Sequence, residues 1–139
     1  MIKIFLDSDV VISSLISKSG VAYLLINSSF PNLGLFVSNL SVQEITKVSK
    51  RLNLDQKRLK VAIGKLDKIM MEDQLIDIKK KYRDYVSDID DTHIVAGAVK
   101  SKARFLISYN IKDFKVGKIK QDFNIIVTSP ANLIQYLRT

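Results

Sequence analysis

Two carboxylates follow the first apolar segment of the chain, in a place where side chains can do chemistry. Ile2–Leu6 is an almost continuous apolar run, and Asp7 and Asp9 come directly after it. Such a run is typical of a buried strand, and sites in parallel sheets form beyond the carboxyl ends of the strands. One of the acids could instead cap the helix predicted from Val10, but capping does not account for two. The pair therefore indicates a functional site, with Asp7 the stronger candidate.

A second acidic group stands near position 90, in the sequence Asp88-Ile-Asp90-Asp91. Three carboxylates so close repel one another unless solvent, basic side chains or a bound cation screens them. Asp91 begins a predicted helix that runs to about Lys100, where its role could be that of an N-cap alone. The backbone would also hold Asp91 rigidly, which suits a metal ligand, whereas Asp88 and Asp90 could be solvated loop acids.

Other polar positions have both a structural and a functional explanation. Glu44 follows Ser41 by three residues, and this capping-box pattern favours a structural role for the glutamate. Asn110 and Asp113 lie just beyond a predicted strand, again at a carboxyl end, although Asp113 could be a turn residue. His93 is the only histidine, and its place in the first turn of a helix favours the protein surface over a metal site.

Several chemistries are disfavoured by the sequence. The chain has no Cys, so it can form neither a disulfide nor a thiolate zinc site. Ser8, Ser13 and Ser14 lack a Gly-x-Ser-x-Gly setting and a partnered histidine, which argues against a serine nucleophile. The five Gly residues form no phosphate-binding loop.

The charge of the chain points to a polyanionic partner. Lys and Arg number 22 against 14 Asp and Glu, for a net charge of +8. Such a surplus in a small domain attracts polyanions, most commonly nucleic acid. An acidic pocket within a basic surround suits an enzyme that holds a cation and cuts a phosphodiester. The short, acid-interrupted N-terminal apolar run is unlike a signal peptide, and no stretch approaches the roughly 20 apolar residues of a membrane helix. We therefore expect a soluble cytoplasmic protein without a membrane segment.

Strand-like and helix-like segments alternate along the 139 residues. The predicted strands are Ile2–Leu6, Leu35–Val37, Gln74–Ile78, Arg104–Ser108 and Phe123–Thr128. The predicted helices are Val10–Ile16, Val21–Ile26, Ser41–Leu52, a segment after Asp55 with apolar residues recurring to Met70, Asp91–Lys100 and Asn132–Leu137, with Pro130 at a first helical position. This alternation, without repeats or linkers, predicts a single α/β domain over residues 1–139 with a mainly parallel central sheet flanked by helices.

Four segments, taken in order, resemble the PIN-domain nucleases along essentially the whole chain. FLDSDVVISSLIS is similar to the family's opening strand, acid and helix, and LSVQEITKV to its glutamate-bearing helix. DDTHIVAGAVKSKARFLISYNIKDF resembles the family's stretch of Asp, small-residue helix, strand and closing Asp-Phe, and TSPANLIQYL its final strand exit and helix. Each motif alone is loose, but the four in order are fairly specific. The resemblance implies a Rossmann-like, three-layer PIN fold.

The resemblance also implies a function and a site. It places the three leading acids on Asp7, Glu44 and Asp91, which would bind Mg²⁺ or Mn²⁺ through hard carboxylate oxygens. The fourth acidic place falls on Asn110, with Asp113 the nearest carboxylate, so the completing residue stays open. Asp9 stands where Asn, Ser or Thr is more usual. The catalytic set is thus Asp7, Glu44, Asp91, Asp113 and Asn110, with Asp9, Asn110, Asp113 and Asp90 as further metal ligands to consider.

The implied activity is metal-dependent cleavage of RNA. Some relatives, the VapC-type toxins, are the ribonuclease of a toxin–antitoxin pair, so an antitoxin protein and a homodimer are partners to consider beside RNA. Basic residues in the helices between positions 47 and 68, in the run 79–83 and in a loop at 112–120 are the candidates to bind the phosphate backbone.

Two other functions are compatible with the residues. FLDSDVV also fits the opening of haloacid-dehalogenase-like phosphohydrolases, in which Asp7 would be the nucleophile and Asp9 a general acid. However, the segment before Asp90 and Asp91 is charged and does not read as an apolar strand. No clear Lys motif precedes these two acids. The chain could also be a basic RNA-binding module without catalysis, whose acids are caps and loop residues.

Overall fold

Strands and helices alternate along the chain in the computed structural model, which describes residues 1–28 and 30–139. The strands are β1 (Ile2–Leu6), β2 (Leu33–Ser38), β3 (Asp67–Ile69), β4 (Phe105–Ile107) and β5 (Ile126–Thr128). The α-helices are α1 (Ser8–Ile16), α2 (Val21–Asn27), α3 (Asn39–Arg51), α4 (Gln56–Gly64), α5 (Leu75–Tyr82), α6 (Thr92–Lys100), α7 (Val116–Phe123) and α8 (Pro130–Arg138). Among the described residues, no single helix has the length and apolar character of a membrane span.

The five strands form one parallel sheet in the order β3-β2-β1-β4-β5. β1 lies at the centre, where Ile4 pairs with Leu35 on one side and Phe105 on the other. The chain continues from β1 to β2 and β3 on one side and returns to β4 and β5 on the other. The strand order therefore reverses between β1 and β4, which is the switch point where parallel sheets open a crevice. The predicted α/β fold with a parallel central sheet is confirmed.

Successive residues of β1 point into two separate cores, one on each face of the sheet. Ile4 and Leu6 belong to the core beneath α1, α2, α3, α4 and α8, while Phe5 belongs to the core beneath α5, α6 and α7. This burial on both faces explains the continuous apolar run of the first strand. The molecule thus has the predicted three layers.

Helix α6 packs unusually close to the central strand because it contains Gly97. A Cβ atom at Gly97 would lie 2.3 Å from Cζ of Phe5, a distance that no side chain can accept. The absence of a side chain at this point lets α6 rest directly on the ring. Since Asp91 stands at the start of α6, this contact fixes the distance of Asp91 from the sheet.

Two predicted elements in the middle of the chain are wrong. Gln74–Ile78 is not a strand, because helix α5 begins at Leu75 and buries Ile78 and Tyr82, which are four residues apart on one helical face. The helix predicted to continue to Met70 ends instead at Gly64, and the third strand, β3, follows it. β3 is a three-residue edge strand with two exposed residues, so it carries little of the apolar pattern by which a strand is predicted.

The predicted last strand begins too early. Phe123 is the final residue of α7, and Asn124 ends that helix with a left-handed φ of 57°. The strand β5 then begins at Ile126. The segment 112–120, predicted as a loop, accordingly contains a 3₁₀ turn and the first part of α7.

Candidate active site

A cleft of about 390 Å³ opens at the carboxyl edge of the sheet, over the switch point between β1 and β4. It is lined by polar side chains from four separate segments of the chain, which are Asp7, Ser8, Asp9, Ser13, Glu44, Asp91, Asn110 and Asp113. Five of these side chains are carboxylates. Six of the seven residues predicted for the site therefore lie around one cavity.

Asp7 is the most buried acid of the cleft, and its backbone N–H and both of its carboxylate oxygens make hydrogen bonds. Its backbone N–H donates to the carbonyl of Ile107 at 2.9 Å, which continues the pairing of β1 with β4. Its Oδ1 accepts from the N–H of Ser8 at 2.7 Å, so the carboxylate does cap α1. Its Oδ2 accepts from the Ser108 hydroxyl at 2.8 Å. With 8% of its surface exposed, Asp7 is a rigid group at the floor of the cleft.

Asp9 joins the first turn of α1 to the loop after β4. Its Oδ2 accepts from the N–H of Tyr109 at 3.1 Å and from Nδ2 of Asn110 at 3.0 Å, with a longer contact of 3.3 Å to the hydroxyl of Ser108. Its Oδ1 is buried and has no hydrogen-bond partner among the described residues. A buried carboxylate oxygen without a donor is an oxygen that a cation can satisfy.

Glu44 is not part of a capping box. Helix α3 begins at Asn39, and its N-cap is Ser38, whose hydroxyl oxygen accepts from the N–H of Ser41 at 3.0 Å. Glu44 therefore lies well inside the helix and turns toward the cleft. Its Oε2 lies 3.4 Å from Nε2 of His93.

His93 is buried, and its predicted surface position is wrong. Only 7% of its surface is exposed, in the first turn of α6. His93 lies on α6 and contacts Glu44 on α3. These two helices pack against each other, which buries the histidine.

Asp91 occupies the N-cap position of α6 but makes no side-chain capping bond. The hydroxyl of Thr92 instead donates to the carbonyl of Ile89, and the Asp91 carboxylate is left to line the cleft. The neighbouring acids point elsewhere. Asp88 accepts from the N–H of Asp90, and Asp90 lies 3.6 Å from Lys79 with 75% of its side chain exposed. Asp90 is the one predicted site residue that the fold does not bring to the cleft.

Asn110 and Asp113 have different positions in the cleft. The amide of Asn110 donates to Asp9, so this residue orients a carboxylate. Asp113 ends the 3₁₀ turn Ile111–Asp113, and its carboxylate lines the cleft. Both residues therefore line the cleft, and only Asp113 adds a carboxylate to it.

Burial makes two carboxylates at the floor of the cleft, Asp7 and Asp9, hard to ionise. Burial raises the pKa of Asp7 to about 8, and the charges of Asp9 and Asp91 act in the same direction. Hydrogen bonds from Ser108 and Ser8 oppose this rise without cancelling it. Burial also raises the pKa of Asp9, although its hydrogen bonds from the loop after β4 act against the rise.

Asp91 and Glu44 differ in the direction of their pKa shifts. Burial raises the pKa of Asp91 to about 6, with contributions from the charges of Asp88 and Asp113. Burial by itself would also raise the pKa of Glu44, but the hydrogen bond and charge of His93 hold it below its usual range. The hydroxyl of Ser8 also lowers the Glu44 pKa, through a contact that falls short of hydrogen-bond geometry.

These properties fit a hard divalent cation. The donors of the cleft are oxygens, which Mg²⁺ and Mn²⁺ prefer. A bound cation would lower the raised pKa values by replacing repulsion with attraction, and Asp9 offers a buried oxygen without a partner. Among the described residues, no three His, Asp or Glu side chains are close enough to enclose an ion by themselves. The cleft therefore suits an ion that keeps several water ligands, as Mg²⁺ usually does.

Ser108 is a site residue that sequence reasoning did not single out. Its hydroxyl is fully buried and contacts both Asp7 and Asp9, and its oxygen accepts from the N–H of Asn110 at 2.9 Å. The sequence does contain a signal for Ser108, because a hydroxyl residue stands at the carboxyl end of the buried strand before Asn110. Ser108 joins the two segments that form the floor of the cleft.

Comparison with known proteins identifies the fold. A sequence model of the PIN domain matches residues 3–112. The chain belongs to the PIN-domain family. The resemblance on which the sequence prediction relied is thereby confirmed. PIN domains are nucleases and generally depend on divalent metal ions, which agrees with the acidic cleft.

Solved structures similar to this PIN domain cover nearly its whole length. VapBC2 from Rickettsia felis bound to a DNA fragment from their promoter matches with a TM-score of 0.66 and 18% identity, over 92% of this chain and 98% of the other. VapBC-1 from nontypeable Haemophilus influenzae matches with a TM-score of 0.63 and 13% identity, over 94% and 99%. FitAcB from Neisseria gonorrhoeae matches with a TM-score of 0.58 and 17% identity, over 92% and 98%. No curated protein matches the sequence significantly.

Proposed function

We propose that this PIN domain is a metal-dependent endoribonuclease whose ion is bound by Asp7, Glu44 and Asp91. One observation carries the proposal: five carboxylates from four distant segments line one cleft at the switch point of the sheet. Burial, together with the charges of the neighbouring carboxylates, raises the pKa of Asp7 and of Asp91, a cost that a bound cation would offset.

The remaining polar residues of the cleft have supporting roles. Ser108 and Asn110 orient Asp7 and Asp9 through the hydrogen bonds described above. Asp113 then takes the fourth acidic place of the family pattern, because Asn110 has no carboxylate. When bound, Mg²⁺ or Mn²⁺ supplies Lewis acidity toward the phosphate and a nucleophile at near-neutral pH. Asp90, which is exposed and beside Lys79, has no part in ion binding in this proposal.

Basic residues next to the cleft support a nucleic-acid substrate. A groove of about 460 Å³ shares Glu44 and Val48 with the cleft, and Lys47, Arg51 and Lys79 line it. Their positive charges would bind the phosphates of a strand whose scissile bond lies over the acids. Three of the predicted basic positions thus lie where a strand would leave the cleft, and the net charge of +8 acts in the same direction.

The similar solved structures support a biological role as a toxin. They are VapBC and FitAB toxin–antitoxin assemblies, so we propose that this chain, as one PIN-like nuclease domain over residues 1–139, is the toxin of such a pair. Its partners are then RNA and an antitoxin protein, with a homodimer as the assembly to test. We further propose that such a toxin acts in the cytoplasm.

Cleavage of labelled, structured RNAs tests the proposed activity. Wild-type protein should cut RNA in Mg²⁺ or Mn²⁺ and stop in EDTA, and Asp91→Asn should remove cleavage without unfolding the protein. Glu72→Gln is the matched control, because Glu72 is an exposed acid outside the cleft. Cleavage by Asp91→Asn at the wild-type rate would contradict the proposal. Growth arrest on expression, lost in Asp91→Asn, tests the toxin role separately.

The two alternatives make different predictions for the same protein. A phosphohydrolase with Asp7 as nucleophile would turn over p-nitrophenyl phosphate and leave RNA intact. A non-catalytic RNA-binding module would bind RNA equally well with and without EDTA and would never cut it. Membership of the PIN-domain family favours the nuclease over both.

A further inference from the structure

Glu44 and His93 meet between the cleft and the neighbouring groove, although they are 49 residues apart in the chain. Glu44 lines both cavities, and His93 lines the groove. Oε2 of Glu44 and Nε2 of His93 are 3.4 Å apart, which is long for a hydrogen bond. The histidine side chain is 9% exposed and that of the glutamate 39%. A buried group thus contacts a partly exposed group at the rim of the cleft.

The chemistry of the two groups fixes which ring nitrogen carries a proton. An ionised carboxylate can only accept hydrogen bonds, so Nε2 of His93 must be the donor. The other ring nitrogen, Nδ1, is buried and has no partner among the described residues. The protein therefore keeps an unpartnered nitrogen in its interior in order to present Nε2–H to Glu44.

A role in packing alone does not explain this arrangement. An apolar side chain of similar size would fill the same space without burying an unpartnered nitrogen, which is unfavourable. His93 is also the only residue among those described that donates a hydrogen bond to the Glu44 carboxylate. Without it, the long Glu44 side chain would keep only the contact with the Ser8 hydroxyl, which falls short of hydrogen-bond geometry, and would be freer to change rotamer.

We propose that His93 is a positioning residue that holds the Glu44 carboxylate toward the cleft and thereby sets the affinity of the cleft for its divalent ion. The inference rests on the proposed function and adds a residue to it. Hydrogen-bond partners of metal ligands change metal affinity by about 10- to 100-fold when they are removed. Because the contact is long, we expect an effect near the lower end of that range.

Substitutions of His93 that differ in reach test the inference. Gln can place its amide nitrogen near the position of Nε2, whereas Asn is shorter by one methylene and Leu has no donor. The Mn²⁺ dissociation constant, measured by electron paramagnetic resonance, should rise about tenfold in His93→Asn and His93→Leu and return close to the wild-type value in His93→Gln. Ile94→Val, a change in the same buried helix turn that removes no polar contact, should bind Mn²⁺ as wild type does.

The Glu44→Gln background separates positioning from general damage. If His93 acts through Glu44, then His93→Asn should cause no further loss of Mn²⁺ affinity in Glu44→Gln. Equal Mn²⁺ affinity in wild type, His93→Asn and His93→Leu, each shown to be folded by circular dichroism, would overturn the inference while leaving the nuclease proposal intact. Equal further loss in the Glu44→Gln background would also overturn it. A wild-type protein that neither binds Mn²⁺ nor cleaves RNA would refute the proposed function itself.

Discussion

The substitution Asp7→Asn should make the metal-free protein more stable while it removes activity. Asp7 is 8% exposed, and burial together with the charges of Asp9 and Asp91 raises its pKa to about 8. Asn has nearly the same shape but no charge. Its Oδ1 can still accept from Ser8, and the Ser108 hydroxyl can rotate to accept from the amide. The change therefore removes repulsion and desolvation at little cost in hydrogen bonds.

The sign and size of the effect follow from the two pKa values. In the unfolded chain Asp7 titrates near 3.8, and in the folded protein near 8. A raised folded-state pKa gives a stabilising contribution that is complete below pH 4 and is lost as the pH rises to about 8. Each pH unit in that window is worth about 1.36 kcal/mol, so the loss at pH 7 is at most about 4 kcal/mol. Since Asp9 and solvent relax around the charge, we expect Asp7→Asn to gain about 2 kcal/mol at pH 7.

Urea unfolding in EDTA at several pH values between 4 and 8 measures this effect. The free energy of unfolding of wild type should fall across the window more steeply than that of Asp7→Asn, and the two curves should converge near pH 4. Glu72→Gln removes an exposed acid outside the cleft and should follow wild type. A variant that is less stable than wild type at pH 7, or that keeps the full wild-type pH dependence, would refute the reasoning about Asp7.

Three other predictions concern packing, metal binding and substrate binding. Gly97→Ala should lower the free energy of unfolding by about 1–3 kcal/mol, measured by urea unfolding, because the added methyl would overlap the ring of Phe5; an unchanged midpoint would contradict the close contact. Mn²⁺ affinity should increase as the pH rises from 5 to 8, because protons compete for Asp7 and Asp91, whose pKa values are raised; affinity independent of pH would show that these acids are not ligands. The affinity of an Asp91→Asn protein for RNA should fall steeply as the salt concentration rises, and adding Arg51→Glu should lower that affinity further. An affinity that does not change with salt would exclude phosphate contacts.

The sequence predicts the main acids of the cleft because parallel topology leaves little choice. Asp7 directly follows a strand that is buried on both faces, and Asp91 begins a helix whose small residues let it lie on the sheet. The carboxyl ends of parallel strands share one edge, so side chains at these positions converge even when the strand order is unknown. Asn110 and Asp113 follow from the same rule.

The roles of Glu44 and His93 are harder to predict from the sequence, because the contacts of these two residues depend on distant segments of the chain. Ser38 and Ser41 both lie near the start of α3, and a local pattern cannot decide which serine is the cap. The answer depends on where β2 ends, which is fixed by its pairing with β1 and β3. The burial of His93 likewise depends on the packing of α3 against α6, which no local sequence pattern contains.

The edge strand β3 was missed for a related reason. Asp67–Ile69 has three residues, two of them exposed, and it follows a helix whose apolar spacing continues through it in the sequence. Backbone pairing with β2 holds it in the sheet, and backbone hydrogen bonds leave no trace in a sequence. The more apolar Gln74–Ile78 therefore matches a strand pattern better, although its spacing also fits a helix.

Crystals grown with Mn²⁺ and measured at a wavelength where manganese scatters anomalously provide the most direct test. If side chains at the start, in the first third and beyond the middle of the chain share one ion, an anomalous peak will lie in the cleft between Asp7, Glu44 and Asp91, within about 2.2 Å of at least one carboxylate oxygen. A fully occupied manganese at another place, with the cleft empty, would contradict the assignment of this site.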